Sequence, residues 1–462
     1  MEESSTSRGD VRDPYEATEP EEPARRGHIG LIVAVSMFGG LILALVLTLL
    51  VFGGATEPII SGVALLAFAL GWTLLAWLSD RRTDQAQRWA YVPAIFMGVL
   101  ALTFLVFRPS DAMFRAFGWV WPIAAAGLAI WMIIQSRRLL RNWSRPVILY
   151  PFLVVLLLAA FGGSYETIRE ALDESAYTMS GQLFDVGGYK LHISCTGSGD
   201  PTVILEAGLG QPAAEISGWI QPGVATVTRV CVYDRAGMGW SEPAETPRDG
   251  AAIATDLHTL LRRAEIDGPY VLAGHSSGGV YIQVFAAQYP DEVAGLVLLD
   301  SQPPDAIANL PGYAGEYEGI RRVTALFPSV ARLGVGRLAY PSAASGLPPE
   351  TWAEARALLS TAGHNRGYRD DAVGLKAALT QAQALTSLGD KPLIVLTAVE
   401  DAHEGWLPLQ EKMVGLSTNG VQRVIQDASH ASLIEDGGDS ANAINAILDV
   451  VEAVRSGATL PP

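Results

Sequence analysis

The hydrophobic and polar positions divide the chain into an apolar first third and a mixed remainder. Five uncharged apolar stretches precede residue 164, and each is long enough to cross a hydrocarbon core of about 30 Å as a helix. They are Ile29–Phe52, Pro58–Leu78, Trp89–Phe107, Phe117–Ile134 and Pro146–Gly163. The pattern predicts an all-α transmembrane bundle of about five helices over residues 29–163.

Arginines between the stretches predict the orientation of this bundle. The loop "GGATEP" after the first stretch has no Lys or Arg, and the loop after the third has only Arg108 and Arg115. The positive-inside rule then makes the N-terminus cytoplasmic, and five spans place residue 164 onward outside. We expect a multi-pass protein of the cell membrane with an extracytoplasmic domain. The arginines on the predicted inner side are Arg8, Arg12, Arg25, Arg26, Arg81, Arg82, Arg88, Arg137, Arg138, Arg141 and Arg145.

Residues 1–28 are rich in Glu, Ser, Pro and Arg and contain almost no aliphatic side chains, which predicts a disordered cytoplasmic tail. Arg25 and Arg26 before an apolar run also suit a twin-arginine export signal. The run is long, however, lacks a small-x-small cleavage site, and is followed by further apolar runs. We therefore expect a retained first span.

From residue 164 the composition becomes that of a soluble α/β unit of about 300 residues, large enough for one core plus an insertion. A short amphipathic helix is predicted around Tyr165 to Ala176, and "QLFDVGGYKLHISCTG" predicts a hairpin that turns at Gly187 and Gly188. Continuous apolar runs separated by helical stretches indicate strands buried on both faces, and hence a mostly parallel sheet covered by helices. These runs are "PTVILEAG", "TRVCVYDR", "PYVLAGHS", "AGLVLLDS" and "KPLIVLTA".

The run that starts at Tyr270 turns through "GHSSGG" and continues with helical spacing until Pro290. G-x-S-x-G between a strand and a helix is the nucleophile-elbow pattern, in which glycines allow a sharp turn around a strained serine. The alternative is a plain strand-to-helix turn. The context favours Ser276 as a nucleophile.

Six motifs occur in order along the second part of the chain: "LEAGLG", "YDRAGMGWS", "GHSSGG", "LLDS", "LTAVED" and "DASH". With them, the region from Gln182 to Val454 resembles the α/β-hydrolase family. The resemblance implies an eight-stranded, mostly parallel sheet with a helical cap after the sixth strand. We expect an α/β-hydrolase domain over residues 164–462 with a cap insertion at about 303–390. A serine at the elbow separates the chain from the epoxide-hydrolase and dehalogenase branches, which use a carboxylate nucleophile.

A serine hydroxyl needs a base in hydrogen-bond reach, and the base needs an orienting acid. His430 lies on a small-residue loop after the strand "QRVIQ", which fits the chain order of serine, acid and histidine. Asp401, just past the strand "PLIVLTA", is the predicted acid. Its neighbour Glu400, and Asp300 at the end of "LVLLD", are the alternatives.

The reaction also needs two backbone N–H donors for an oxyanion. We predict those of Ser277, the residue after the nucleophile, and of Leu209 in the loop after "VILEAG". Asp234 and Arg235 of "YDRAGMGWS" are expected to be structural.

The formal net charge of −16 and the lack of a basic stripe argue against a nucleic-acid partner. Two cysteines are too few for a disulfide scaffold and lack zinc-site spacing, so no metal or cofactor is predicted. In the fold that the chain resembles, the second strand lies antiparallel beside the fourth, and these strands carry Cys195 and Cys231. We therefore hypothesise a disulfide between them. The alternative is two buried free thiols.

Taken together, the sequence predicts a membrane-anchored serine hydrolase that cleaves a small-molecule or lipid-like ester or amide through an acyl-enzyme on Ser276. The alternative is a membrane sensor whose hydrolase-like domain binds a ligand without turnover. The predicted cap contains six aromatic residues that could line the substrate pocket or only pack the cap. They are Tyr313, Tyr317, Phe327, Tyr340, Trp352 and Tyr368.

Overall fold

The computed structural model describes residues 28–139, 148–245, 247–340 and 345–461. Residues 1–27 of the predicted tail lie outside the described residues, as do Arg141, Arg145 and Pro146. The described chain consists of N-terminal helices up to Ala176, followed by an α/β domain that begins at Gln182.

Among the described residues, four N-terminal helical segments are long and apolar enough to cross a membrane. The segments are Ile29–Val51, Glu57–Arg82, Arg88–Phe107 and Tyr150–Ala176. A fifth candidate is a pair of helices that meet at 50° and cover the predicted fourth stretch. The helices are α1 (Ile29–Leu45, extended by a π-helical turn to Val51), α2 (Glu57–Arg82), α3 (Tyr91–Phe107), α4 (Asp111–Gly118), α5 (Trp121–Leu139) and α6 (Tyr150–Ala176).

One N-terminal boundary differs from the prediction. The predicted fifth span and the predicted amphipathic helix around Tyr165 are a single helix, α6, of 27 residues. Gly162 and Gly163 do not interrupt it, and they lie where the cap packs closely on this helix. A Cβ atom on Gly162 would lie 2.1 Å from the carbonyl oxygen of Leu333.

The α/β domain contains an eight-stranded sheet in the order β1-β2-β4-β3-β5-β6-β7-β8. β1 pairs with β2 and β2 with β4 in antiparallel fashion, and the other neighbouring pairs are parallel. The predicted mostly parallel sheet and its N-terminal hairpin are therefore confirmed. The strands are β1 (Gln182–Asp185), β2 (Lys190–Thr196), β3 (Val203–Glu206), β4 (Val230–Tyr233), β5 (Tyr270–His275), β6 (Val293–Leu299), β7 (Leu393–Ala398) and β8 (Gly420–Ile425).

The hypothesised disulfide is present in the structure. The antiparallel register of β2 and β4 places Cys195 directly opposite Cys231, and the two sulfur atoms are bonded. This bond closes a segment with a sequence separation of 36 residues.

Helices cover both faces of the sheet, and alternate residues of each central strand enter different cores. In β5, Leu272 packs into the core formed with the helices Gly250–Arg263, Ser277–Gln288 and Ala362–Ala382. Val271 packs into the core formed with the helices Ala213–Ala225 and Ser440–Ser456. Two buried faces explain the continuous apolar runs. The helices after the first strands are α7 (Ala213–Ala225), α8 (Gly250–Arg263) and α9 (Ser277–Gln288), and those after β7 are α16 (Trp406–Val414), α17 (Ser432–Glu435) and α18 (Ser440–Ser456).

The cap lies between β6 and β7 and is helical. Its helices also contact the N-terminal helices, at the ends that the loop arginines predict to be outside. Arg321 Nη1, for example, donates a hydrogen bond of 2.6 Å to the carbonyl oxygen of Gly53. The cap helices are α10 (Ala306–Asn309), α11 (Tyr313–Thr324), α12 (Phe327–Ala331), α13 (Gly336–Ala339), α14 (Pro349–Leu359) and α15 (Ala362–Ala382).

Candidate active site

Ser276 lies at the sharp turn between β5 and α9, with φ 55° and ψ −124°. A positive φ is strained for a residue with a side chain, and such strain is typical of the nucleophile elbow. Close packing explains the flanking glycines, because a Cβ atom on Gly278 would lie 2.4 Å from the carbonyl oxygen of Glu206. The backbone N–H of Ser276 donates to Leu299 in the neighbouring strand β6 at 3.1 Å.

Three contacts hold His430. Its Nδ1 atom lies 2.6 Å from Oδ2 of Asp300, its backbone N–H donates to Oδ1 of Asp401 at 2.9 Å, and its carbonyl oxygen lies 2.9 Å from Nε2 of His275. These contacts fix both the loop and the imidazole plane. The ring nitrogen Nε2, the atom that would serve as a base, remains on the opposite side of the ring from Asp300.

Asp300 is therefore the carboxylate that contacts the imidazole, and the ring contact predicted for Asp401 is not made. Asp300 directly follows β6, the strand beside the nucleophile strand β5, whereas Asp401 follows β7, one strand further away. Asp401 is exposed and binds the His430 backbone instead. Glu400, the other alternative, is also exposed.

The environment of Asp300 suits an orienting acid. The residue is 3% exposed and, with φ 41°, has a second strained backbone next to the site. Its other oxygen, Oδ1, accepts a hydrogen bond of 2.8 Å from the indole N–H of Trp406. Both oxygens therefore have partners, which offsets the cost of burying the carboxylate.

The two predicted oxyanion donors lie close to the nucleophile. Ser277 is the first residue of α9, so its N–H has no intrahelical partner. Leu209 lines the same cavity as Ser276. The approach of its loop is close, since a Cβ atom on Gly208 would lie 3.2 Å from Cβ of Ser276. The side chain of Gln211 fixes the loop by accepting the N–H of Gly208 at 2.8 Å.

Arg235, expected to be structural, also holds the loop that carries Leu209. Its guanidinium donates hydrogen bonds of 2.7 Å to the carbonyl oxygens of Ala207 and Gly208. It also forms buried ion pairs of 2.6 Å with Glu206 and Asp371. Sequence reasoning missed this contribution, because one of the ion pairs reaches a cap residue more than a hundred positions away.

Burial controls the protonation of groups around the site. Burial, with a further contribution from the adjacent His430, lowers the pKa of His275 to about 3, so this ring is neutral at physiological pH. Burial also raises the pKa of Glu206 to about 7 in spite of the neighbouring Arg235 guanidinium. A neutral His275 can hold the His430 loop without opposing a positive charge on the His430 ring.

A cavity of about 420 Å³ lies over Ser276 and His430, with the cap as its roof. Three of the six cap aromatics line it, whereas Tyr340 and Trp352 pack against each other elsewhere. Among the described residues, no group of three or more His, Cys, Asp or Glu side chains could hold a metal ion. The cavity residues from the cap are Tyr313, Glu316, Tyr317, Ile320, Tyr368 and Leu375.

Comparisons with known proteins agree with this architecture. A family model described as alpha/beta hydrolase fold matches residues 201–337. The structure is similar to that of the Cif epoxide hydrolase from Acinetobacter nosocomialis, with a TM-score of 0.52, 16% identity, and coverage of 62% of this chain and 96% of that chain. Together with the strand order, these matches show that the second part of the chain has the α/β-hydrolase fold.

Two curated relatives match within a smaller region. An uncharacterized protein of Schizosaccharomyces pombe is 33% identical over 28% of this chain and 29% of its own length. An uncharacterized vacuolar membrane protein of Saccharomyces cerevisiae is 30% identical over 24% of this chain and 20% of its own length. The matched region thus spans less than a third of either relative.

Proposed function

We propose that this protein is a membrane-anchored serine hydrolase that cleaves an ester or amide through an acyl-enzyme on Ser276. One arrangement carries the proposal: a strained serine at the elbow shares a cavity with His430, whose Nδ1 lies 2.6 Å from the buried Asp300. Ser276 has the strained backbone of a nucleophile elbow, His430 is held by hydrogen bonds to its ring and backbone, and Asp300 is buried. Asp300 takes the role first predicted for Asp401.

In the proposed reaction, the Ser276 hydroxyl attacks the substrate carbonyl carbon while His430 Nε2 removes its proton. Asp300 holds the ring through Nδ1 and stabilises the imidazolium. The N–H groups of Leu209 and Ser277 donate to the developing oxyanion. His430 then protonates the leaving alcohol or amine, and a water molecule, activated by the same ring, releases the acid from Ser276.

The elbow residue distinguishes this reaction from epoxide hydrolysis. The structurally similar Cif protein is an epoxide hydrolase, a class that the resemblance associates with a carboxylate nucleophile. The hydroxyl of Ser276 attacks an acyl carbon to form the acyl-enzyme. Water then attacks the same carbon, which regenerates the hydroxyl. The serine therefore favours acyl transfer.

The proposed location is the cell membrane, with the hydrolase domain on the extracytoplasmic side. Support comes from the apolar helices and from the cap, which contacts the loop at Gly53, on the arginine-poor side. The disulfide between Cys195 and Cys231 agrees with an oxidising compartment. A relative named as a vacuolar membrane protein supports membrane association.

Labelling with a fluorophosphonate probe tests the proposal directly. The full-length protein in detergent should react with the probe and hydrolyse activated esters, and Ser276→Ala should abolish both while retaining its elution profile and melting temperature. Ser277→Ala is the matched control, because it alters the adjacent side chain and keeps the backbone donor. Labelling that persists in Ser276→Ala would refute the nucleophile.

A further inference from the structure

The cap helix α15 connects the outer end of the N-terminal helices to the loop that carries the oxyanion donor. On one face, Arg366 Nη2 lies 2.5 Å from Oε2 of Glu57 and 2.9 Å from Oδ1 of Asp111. Glu57 begins α2 and is 1% exposed. Arg332, just after α12, binds the same two carboxylates at 2.5 and 2.7 Å.

The opposite face of α15 contacts the loop from Gly208 to Gly210. His364 Nε2 donates to the carbonyl oxygen of Gly210 at 2.9 Å, and its Nδ1 accepts the N–H of Gly239 at 3.1 Å. One turn further along, the ring of Tyr368 lies against Gly210, where a Cβ atom would be 2.5 Å from the ring. Gly210 has φ +69°, so both conformation and space require glycine there.

A third contact from this face reaches the same loop through a buried arginine. Asp371 binds Arg235 Nη2 at 2.6 Å, and the same nitrogen donates to the carbonyl oxygen of Gly208 at 2.7 Å. His364, Tyr368 and Asp371 are spaced by four and three positions, which places them on one face of the helix. The face that binds the N-terminal helices and the face that binds the oxyanion loop therefore belong to one continuous helix of 21 residues.

We propose that Glu57 is a positioning residue for catalysis: through Arg366 and α15 it sets the position of the oxyanion loop. This inference rests on the proposed serine-hydrolase function and assigns the N-terminal helices a part in it beyond anchoring. Glu57 does not touch the substrate cavity. Its contribution is to fix the helix from which three side chains support Gly208 and Gly210.

The charges at this contact explain why the position of α15 depends on Glu57. Two guanidinium groups, Arg332 and Arg366, share the carboxylates of Glu57 and Asp111. Without the Glu57 charge, the poorly exposed Arg332 and Arg366 would share only Asp111, which Arg115 also approaches at 3.4 Å. Breaking a buried ion pair is strongly destabilising for that local arrangement. A shift of α15 by a fraction of an ångström would move the Leu209 donor, and rates are sensitive to displacements of that size.

The test compares Glu57→Gln with Glu166→Gln in the full-length protein, using an activated ester and a boronic acid that forms a tetrahedral adduct on serine. Glu166 belongs to a second ion cluster between α6 and the cap, with Arg337 at 2.9 Å. Arg337 lies on α13, and no hydrogen bond joins it to the oxyanion loop within the described chain. The control therefore weakens the same interface through an arginine that does not lie on α15.

Glu57→Gln should lower kcat by about 10-fold to 100-fold with little change in KM. Its affinity for the boronic acid should fall by a similar factor. Glu166→Gln should change kcat less than about 2-fold even where the two variants lose similar melting temperature. A purely structural role would instead lower the yield of active protein in both variants and leave the kcat per labelled serine unchanged.

Equal kcat per labelled serine in Glu57→Gln and wild type would overturn the inference, as would equal losses in the two variants. If Glu57→Gln does not fold, Arg366→Lys replaces it with the same expected and refuting outcomes, since lysine keeps the charge and loses the shared hydrogen-bond geometry. Failure of the proposed function is distinguishable, because the wild type itself would then show no labelling that depends on Ser276.

Discussion

Nδ1 of His430 lies 2.6 Å from Oδ2 of Asp300, while the carboxylate of Asp401 accepts the backbone N–H of the same histidine at 2.9 Å. Two acidic residues thus hold one histidine at two different places. Of these two acidic residues, Asp300 is the one whose carboxylate is bonded to the ring, and it is also the one that is buried. The two residues should therefore differ sharply in their effect on the reaction.

Asp300→Asn should lower kcat on the order of 10⁴-fold, because an amide at this position favours the wrong imidazole tautomer. Asp401→Asn keeps an oxygen that can accept the His430 backbone N–H and should cost less than about 10-fold. Steady-state kinetics on an activated ester, normalised to folded protein, measure both. A large loss in Asp401→Asn with a small loss in Asp300→Asn would restore the original prediction.

The sequence predicts the serine, the histidine and the sheet because each rests on a local pattern. Ser276 follows a buried strand and precedes a helix, and the glycine pattern there requires a tight turn. β3, β5 and β7 are buried along their whole length, which is why they read as continuous apolar runs.

The acid and the cap contacts could not be predicted in this way. Asp300 and Asp401 both follow buried strands and both precede His430 in the chain, so order alone does not separate them. The two residues differ in which strand they follow: β6 lies directly beside the nucleophile strand β5, whereas β7 does not. Likewise, the ion pair between Glu57 and Arg332 joins residues 275 positions apart, and no periodicity in either segment indicates the other.

The disulfide should contribute to stability and not to catalysis. Its bond joins β2 and β4, whereas the nucleophile follows β5. Replacing Cys195 and Cys231 together with alanine should lower the free energy of unfolding by roughly 2–5 kcal/mol, because the cross-link restricts the unfolded chain. Thermal unfolding measures this loss, and kcat at 25 °C should change less than about 2-fold.

Reducing agent offers the matched control for that double variant. It should lower the melting temperature of the wild type and leave the double variant unchanged. Two reactive thiols in the unfolded, unreduced wild type would show that the bond is absent.

Glu215 on α7 should make stability depend on pH between about 4.5 and 8. Burial, with a further contribution from Glu435, raises the pKa of its carboxyl from 4.5 to about 8. The folded state then binds this proton more tightly than the unfolded state, so its contribution to stability is present below pH 4.5 and is lost as the pH rises through 8. Glu215→Gln removes this dependence.

The difference in melting temperature between Glu215→Gln and wild type should therefore grow in favour of the variant from pH 5 to pH 8. It should correspond to a few kcal/mol at most. Glu411→Gln, an exposed change on α16, is the control and should show no such trend. A difference that is constant across this range would show that Glu215 does not bind a proton more tightly in the folded protein.

The orientation in the membrane can be measured with single cysteines in the background without Cys195 and Cys231. Ala86 is exposed in the arginine-bearing connection after α2, and Thr386 is exposed on the α/β domain. α2 separates the cap contact at Glu57 from the Ala86 side by roughly 38 Å, at 1.5 Å per residue over its length. We therefore expect the two positions to lie on opposite sides of the bilayer.

A maleimide that cannot cross membranes should label Thr386→Cys in intact cells and should label Ala86→Cys only after the cells are permeabilised. The arginines at 81, 82 and 88 favour the cytoplasm for the Ala86 side, and the disulfide favours an oxidising compartment for the other. The reverse labelling pattern would place the catalytic serine in the cytoplasm. Labelling of both positions in intact cells would show that α2 does not span the membrane, since its two ends would then face the same solution.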